Sequence, residues 1–193
     1  MFYIGEGETV FNQLLDEYKA YRKAGKSKKE FLERAAEIPG IYVPAFYDVE
    51  YHEDGTIASF KPNNSHAKEK IEKQVVMDVT NTYYPTKPVV PFIKATQDRV
   101  TLEIQRGCIR GCRFCQAGML YRPTREKDEE VLKETAKAML ESTGHEEISL
   151  SSLSSSDYSK LPELIDYLIE ECSQRKEIFL YRLCVSTLSL WTL

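Results

Sequence analysis

The chain has 193 residues, 42% hydrophobic and 29% charged, a balance that builds a globular core and excludes a disordered, collagen-like or small disulfide-scaffold protein. Its 26 basic and 30 acidic residues leave a net charge of −4, which gives the surface as a whole no attraction for nucleic acid or for an anionic membrane. No apolar run approaches the ~20 residues of a membrane-spanning helix, and the start, MFYIGEGETVF, turns acidic too early for a secretory signal. The expected location is the cytoplasm.

The first eight residues predict the end of a strand and a glycine turn. Val10, Leu14, Leu15, Tyr18 and Tyr21 then fall at helical spacing, which predicts a helix over 9–24 with Thr9 as its N-cap and Gly25 as its end. Ser27 with Glu30 three residues later is a capping-box pattern and starts a second, short helix that Pro39-Gly40 stops. From Ile41 to Phe60 aromatic and β-branched residues flank Glu53-Asp54-Gly55, the mark of a hairpin with an Asp-Gly turn. A further helix is predicted over 67–80. Pro85, Pro88 and Pro91 make the next stretch an extended linker, which sets the expected boundary between an N-terminal α+β segment, 1–91, and a second domain, 92–193.

Beyond that boundary the predicted order is a strand (99–105), a Gly- and Cys-rich loop (106–118), a helix (126–142) ended by Gly144, a strand (146–151), a Ser-rich turn, a helix (161–173) and a third strand from about Ile178. Strand–helix–strand–helix is the pattern of right-handed βαβ units with a parallel sheet, so the fold class is α/β.

Five cysteines in a reducing compartment point to metal or catalysis rather than disulfides. Cys108, Cys112 and Cys115 fall at C-x3-C-x2-C spacing directly after a predicted strand, while Cys172 and Cys184 stand apart. Soft thiolates so spaced can converge on one metal, and three of them leave a coordination position open, as catalytic centres require. Zinc closed by a distant His145 or Cys172 is the alternative from spacing alone, and cysteines without any metal a second. Residues 99–125 also hold six arginines (99, 106, 110, 113, 122 and 125), no lysine and one acid, Glu103. Such a local positive field suits an anionic thiolate site. The competing expectation leaves Arg110 and Arg113 solvated and pairs Arg122 and Arg125 with the acids of the next helix. Gly5-Glu6-Gly7 lacks the third glycine of a dinucleotide fingerprint. His52 and His66 sit in polar turns and are expected at the surface.

The cysteine spacing, with Phe114 just before the third thiol, resembles the signature of the radical S-adenosylmethionine (radical SAM) superfamily. The strings IPGIYVPAFYDVEY, YYPTKPVVPFI, DRVTLEIQRGCIRGCRFCQAGMLYRPTRE and GHEEISLSSLSSSDYSKL are similar to cobalamin (B12)-domain-associated radical SAM proteins of unassigned substrate. The resemblance implies a partial TIM-like β/α barrel, of which this chain would hold the first two β/α units. It implies a 4Fe-4S cluster on Cys108, Cys112 and Cys115, with S-adenosylmethionine on the fourth iron, and reductive cleavage to a 5′-deoxyadenosyl radical fed by a donor such as flavodoxin or ferredoxin. Phe114 would lie near the adenine; packing as a core aromatic under the loop is the other expectation, and the two are compatible. Ser152 and Ser154 would contact the cofactor where the superfamily has a Gly-Gly-Glu-like motif; helix capping is the simpler role for them. The Asp-x-His-x-x-Gly cobalamin motif does not occur in the chain. After Phe179 the tail LYRLCVSTLSLWTL departs from the family's third strand, and a frameshift near 174–179, giving a shortened chain, is expected. The other functional class is a non-catalytic fragment whose thiols hold zinc or nothing.

Overall fold

The computed structural model describes residues 1–93, 96, 98–145 and 147–174, with the side chains of 172–174 left aside. The chain divides into two compact units, one from Met1 to Val76 and one from Met77 onward. The expected third strand and the tail for which a frameshift is expected lie outside the described residues, as do the side chains of Cys172 and Cys184.

In the first unit, β1 (Phe2–Tyr3) leads into α1 (Gly7–Lys23) and α2 (Lys28–Ala36), and β2 (Ile41–Tyr42) returns antiparallel to β1. A hairpin of β3 (Tyr47–Tyr51) and β4 (Ile57–Pro62) follows. Its turn matches the sequence: Gly55 takes a positive φ of 80° and the Asp54 carboxylate accepts from the Thr56 N–H at 2.9 Å. Leu14, Ala35, Ala36, Ile38, Ile41, Val43, Phe46 and Tyr47 form the core.

Two expectations are corrected here. The first helix starts at Gly7, not after a Thr9 cap, and its N-cap Glu6 makes no side-chain cap bond. The Glu6 carboxylate instead accepts from the Val76 N–H at 2.7 Å. The helix expected over 67–80 does not form either. Ile71, Val75, Val76 and Val79 are spaced as on a helix, but Gln74 exchanges backbone bonds with Ile4 and Glu6 at 3.0 and 2.9 Å, and Asp78 binds the amides of Thr80 and Asn81. Tertiary pairing thus takes up the backbone groups a helix would use.

The predicted capping box is present: the Ser27 hydroxyl accepts from the Glu30 N–H, and the Glu30 carboxylate accepts from the Ser27 N–H. Ser27→Ala is expected to lower stability by about 1 kcal/mol, read as a shift of the urea midpoint at unchanged slope. A variant indistinguishable from the parent would mean that the cap does not hold α2.

The second unit is built on β5 (Val100–Glu103), whose direct continuation β6 (Gln105–Arg106) changes partner. After it come α3 (Gln116–Leu120), β7 (Arg125–Glu126), α4 (Glu129–Thr143), β8 (Ile148–Ser151) and α5 (Leu161–Gln174). β5 and β8 pair in parallel, Val100 opposite Ile148 through Glu103 opposite Ser151, so β5–α4–β8 is the βαβ unit the sequence predicts. Asp128 caps α4 by accepting from the Glu130 and Val131 amides, and Gly144 ends it at a φ of 69°. Val100, Leu102, Ile104, Ile148 and Leu150 from the strands meet Leu132, Ala136, Met139 and Leu140 of α4 and Leu164 and Leu168 of α5.

The predicted strand 99–105 does not run through as one. At Ile104 it leaves β8 and its last two residues pair antiparallel with β7, Gln105 opposite Glu126 and Arg106 opposite Arg125. The ribbon closes the base of the cysteine loop. The proline-rich stretch has no regular structure, and it packs on this unit through Tyr84, whose hydroxyl donates to the Thr101 carbonyl at 2.7 Å and accepts from the Glu103 N–H at 3.2 Å. Among the described residues no helix is long and apolar enough to cross a membrane.

Candidate functional site

The chain leaves the ribbon at Gly107 and returns at Arg125, so the three thiols lie on one excursion beyond the C-terminal end of β5. The Ser-rich turn lies beyond the C-terminal end of the parallel strand β8. Both loops therefore share the edge at which open α/β sheets hold their ligands.

Gly107 has a φ of 82°, and a Cβ there would stand 2.7 Å from the carbonyl oxygens of Tyr121 and Pro123 and 2.9 Å from Thr124 Cα. Only glycine lets the two ends of the excursion approach so closely. Next to it Cys108 is buried, Cys115 is half-buried and Cys112 is exposed, all as free thiols. The Arg110 N–H points at Cys108 Sγ (3.4 Å) and the Gly118 N–H at Cys115 Sγ (3.3 Å), the latter as the cap of α3. Among the described residues no three His, Cys, Asp or Glu side chains are gathered to hold a metal ion. The donor set nonetheless fits a soft metal centre: three thiols on one loop, two already solvated by amides, and an unobstructed backbone at Gly111.

His145 lies elsewhere. It precedes β8 and faces the Asp98 carboxylate at 3.5 Å, at the opposite end of the sheet from the thiols, which removes it as the fourth zinc ligand considered from sequence. His66 is at the surface as expected, on the Glu37 carboxylate at 2.7 Å. Phe114 is 83% exposed, so it is not the core aromatic that one expectation made of it.

The serine turn is tied to the cysteine loop at four points, three of them at its base. The buried Gln105 donates its amide to the Ser154 carbonyl at 2.6 Å, while its Oε1 has no partner among the described residues. Tyr158 donates to the Lys127 carbonyl at 3.0 Å; burial first, then the nearby Glu126 and Glu129 carboxylates, pushes this hydroxyl up to about 12, so it stays a donor. The Glu126 carboxylate receives both the amide and the hydroxyl of Ser159. Arg110 grips Asp157 with two nitrogens, Nε to Oδ2 at 2.8 Å and Nη2 to Oδ1.

Arg110 is thus not merely a solvated loop residue. Its bond to Asp157 raises its own pKa, and the Cys108 and Cys112 thiols add to the rise, whereas the same bond holds the Asp157 carboxyl below its usual range. Arg106 pairs with Glu103 at 3.0 Å, Arg122 donates to the Arg110 carbonyl and the buried Arg125 to the Pro123 carbonyl. The hydroxyls of Ser152 and Ser154 meet Ser155 at 2.9 Å and Asp157 at 2.7 Å. Sequence reasoning missed Gln105 and Asp157. Asp157 stands 47 positions from Arg110 and carries no local signal, whereas an uncharged glutamine ending an apolar strand was a legible anomaly.

Residues 1–44 match the family described as radical SAM proteins, N-terminal, and residues 102–190, which contain the whole cysteine loop, match the radical SAM superfamily. The chain belongs to the radical SAM superfamily. No curated protein and no solved structure matches it. In this radical SAM domain the mixed α/β order and the position of the thiol loop after the first parallel strand agree with the family reading, as does the parallel partner strand across α4.

Proposed function

We propose that this chain is the cluster-bearing part of a radical SAM enzyme, in which Cys108, Cys112 and Cys115 hold a 4Fe-4S cluster. The observation that carries the reading is the three-thiol loop itself, set at the ligand-binding edge of the sheet with backbone amides aimed at two of its sulfurs. With Cys108, Cys112 and Cys115 as its three protein ligands, such a cluster would keep an open position for S-adenosylmethionine. When bound and reduced, such a cluster supplies one electron to the sulfonium, which yields methionine and a 5′-deoxyadenosyl radical able to take hydrogen from a substrate.

The chain's own residues bind and orient. The amides of Arg110 and Gly118 donate to two of the sulfurs, and the arginine-rich loop would offset the negative charge of a thiolate-ligated cluster. Ser152 and Ser154 lie on the turn that would face the methionine end of the cofactor, and Phe114 is free to lie against its adenine. A flavodoxin- or ferredoxin-type protein fits as donor, and the barrel of which β5–α4–β8–α5 would be the first two units fits as scaffold. The similarity to cobalamin-domain-associated relatives supports a partnership with a cobalamin-type domain.

The exposed Cys112 favours one competing reading, a non-catalytic domain whose thiols hold zinc or nothing. Anaerobic reconstitution with iron and sulfide separates the two. About four irons and four sulfides per chain are expected, with uptake lost in Cys112→Ala. Zinc bound in their place, or no metal at all, would contradict the proposal.

A further inference from the structure

We infer that the Arg110–Asp157 ion pair positions the serine turn against the cysteine loop for S-adenosylmethionine, which makes Arg110 a positioning residue of the reaction; the inference rests on the function proposed above. An exposed arginine normally gains little from an ion pair. Here the guanidinium side chain is 59% exposed but its partner Asp157 only 10%, and the contact is two-pronged, the geometry in which arginine is most selective for carboxylate.

What Asp157 does next gives the pair its consequence. Its Oδ2 also accepts from the Ser154 hydroxyl at 2.7 Å, and the Ser154 carbonyl is held by the Gln105 amide at 2.6 Å. On the other side the Arg110 N–H points at Cys108 Sγ and its carbonyl accepts from Arg122. One residue therefore touches a thiol, the returning arm of the loop and the carboxylate that orients Ser154. Gln105, Glu126 and Lys127 tie the turn to the base of the loop; Arg110 joins their outer parts. A ligand that must reach both the loop and the turn would depend on the separation that this pair holds between them.

The test compares reconstituted parent, Arg110→Gln, Arg110→Lys and Asp157→Asn by electron paramagnetic resonance of the reduced cluster during titration with S-adenosylmethionine. Arg110→Gln and Asp157→Asn are expected to keep the iron content and the signal of the cluster alone, but to need roughly tenfold more S-adenosylmethionine for half of the spectral change. Arg110→Lys, which keeps the charge and loses the fork, should recover part of the loss. Unchanged half-saturation in Asp157→Asn, a residue off the loop, overturns the inference and leaves the proposed function standing. Loss of the cluster in both Arg110→Gln and Asp157→Asn also overturns it, because the pair would then support the loop and not the ligand. A parent protein that builds no cluster, or one blind to S-adenosylmethionine, overturns the proposed function and the inference together.

Discussion

Gly107→Ala is expected to cost roughly 2–5 kcal/mol of stability, the sum of a non-glycine residue at positive φ and of overpacking against main chain. The three atoms that a Cβ would strike, at 2.7–2.9 Å, are all backbone, so no side chain can swing aside. The displaced partners, Tyr121, Pro123 and Thr124, lead into β7, and β6 and β7 pair over only two residues each. The base of the cysteine loop should therefore open, and iron uptake should fall along with the urea midpoint. Gly25→Ala is the control: its φ is also positive, at 65°, but nothing lies within 4 Å of the added atom, and about 1 kcal/mol is expected. Equal effects of the two substitutions would contradict the close approach at Gly107.

Glu103→Gln is expected to cost roughly 2–4 kcal/mol, toward the lower part of the range for breaking a buried pair because the carboxylate keeps some contact with water. Glu103 accepts from Arg106 at 3.0 and 3.1 Å and from Lys127 at 3.0 Å, whose side chain is only 5% exposed. Glutamine would leave that ammonium with the Tyr84 ring, 4.0 Å away, as its nearest compensation. Burial alone would push the Glu103 carboxyl up, but the hydrogen bonds and charges of Arg106 and Lys127 outweigh it and hold the group below its ordinary value of 4.5. A depressed folded pKa means that the contribution is fully present well above pH 4.5 and is lost as pH falls from there through the folded value. The urea midpoints of parent and Glu103→Gln should thus differ most at neutral pH and converge in acid, below about pH 4.5. A gap that stays constant down to pH 3 would remove the ion pair from the account.

The elements legible in the sequence were those with local signals. Ser27 and Glu30 gave the start of α2, Asp54-Gly55 the hairpin turn, and Gly144 the end of α4, because caps and turns are set by neighbours within four residues. The βαβ order was legible from alternating apolar segments. The segment 67–80 was not, since its valines and isoleucine match a helix while the pairing of Gln74 with Ile4 and Glu6 comes from seventy residues away. The switch of partner at Ile104 was hidden for the same reason: a strand's apolar pattern does not say which neighbour it pairs with. At the candidate site the thiols and the arginine-rich character stood out by residue type. The destination of Arg110 did not, because a surface arginine and a serine-turn aspartate look alike whether they meet or not.

The central claim is tested most directly by electron paramagnetic resonance of the anaerobically reconstituted, reduced protein with and without S-adenosylmethionine, alongside Cys112→Ala. The account predicts a reduced 4Fe-4S signal that changes shape when S-adenosylmethionine is added and that is absent from the variant. A signal indifferent to S-adenosylmethionine, or a protein that carries zinc or no metal on Cys108, Cys112 and Cys115, would contradict it.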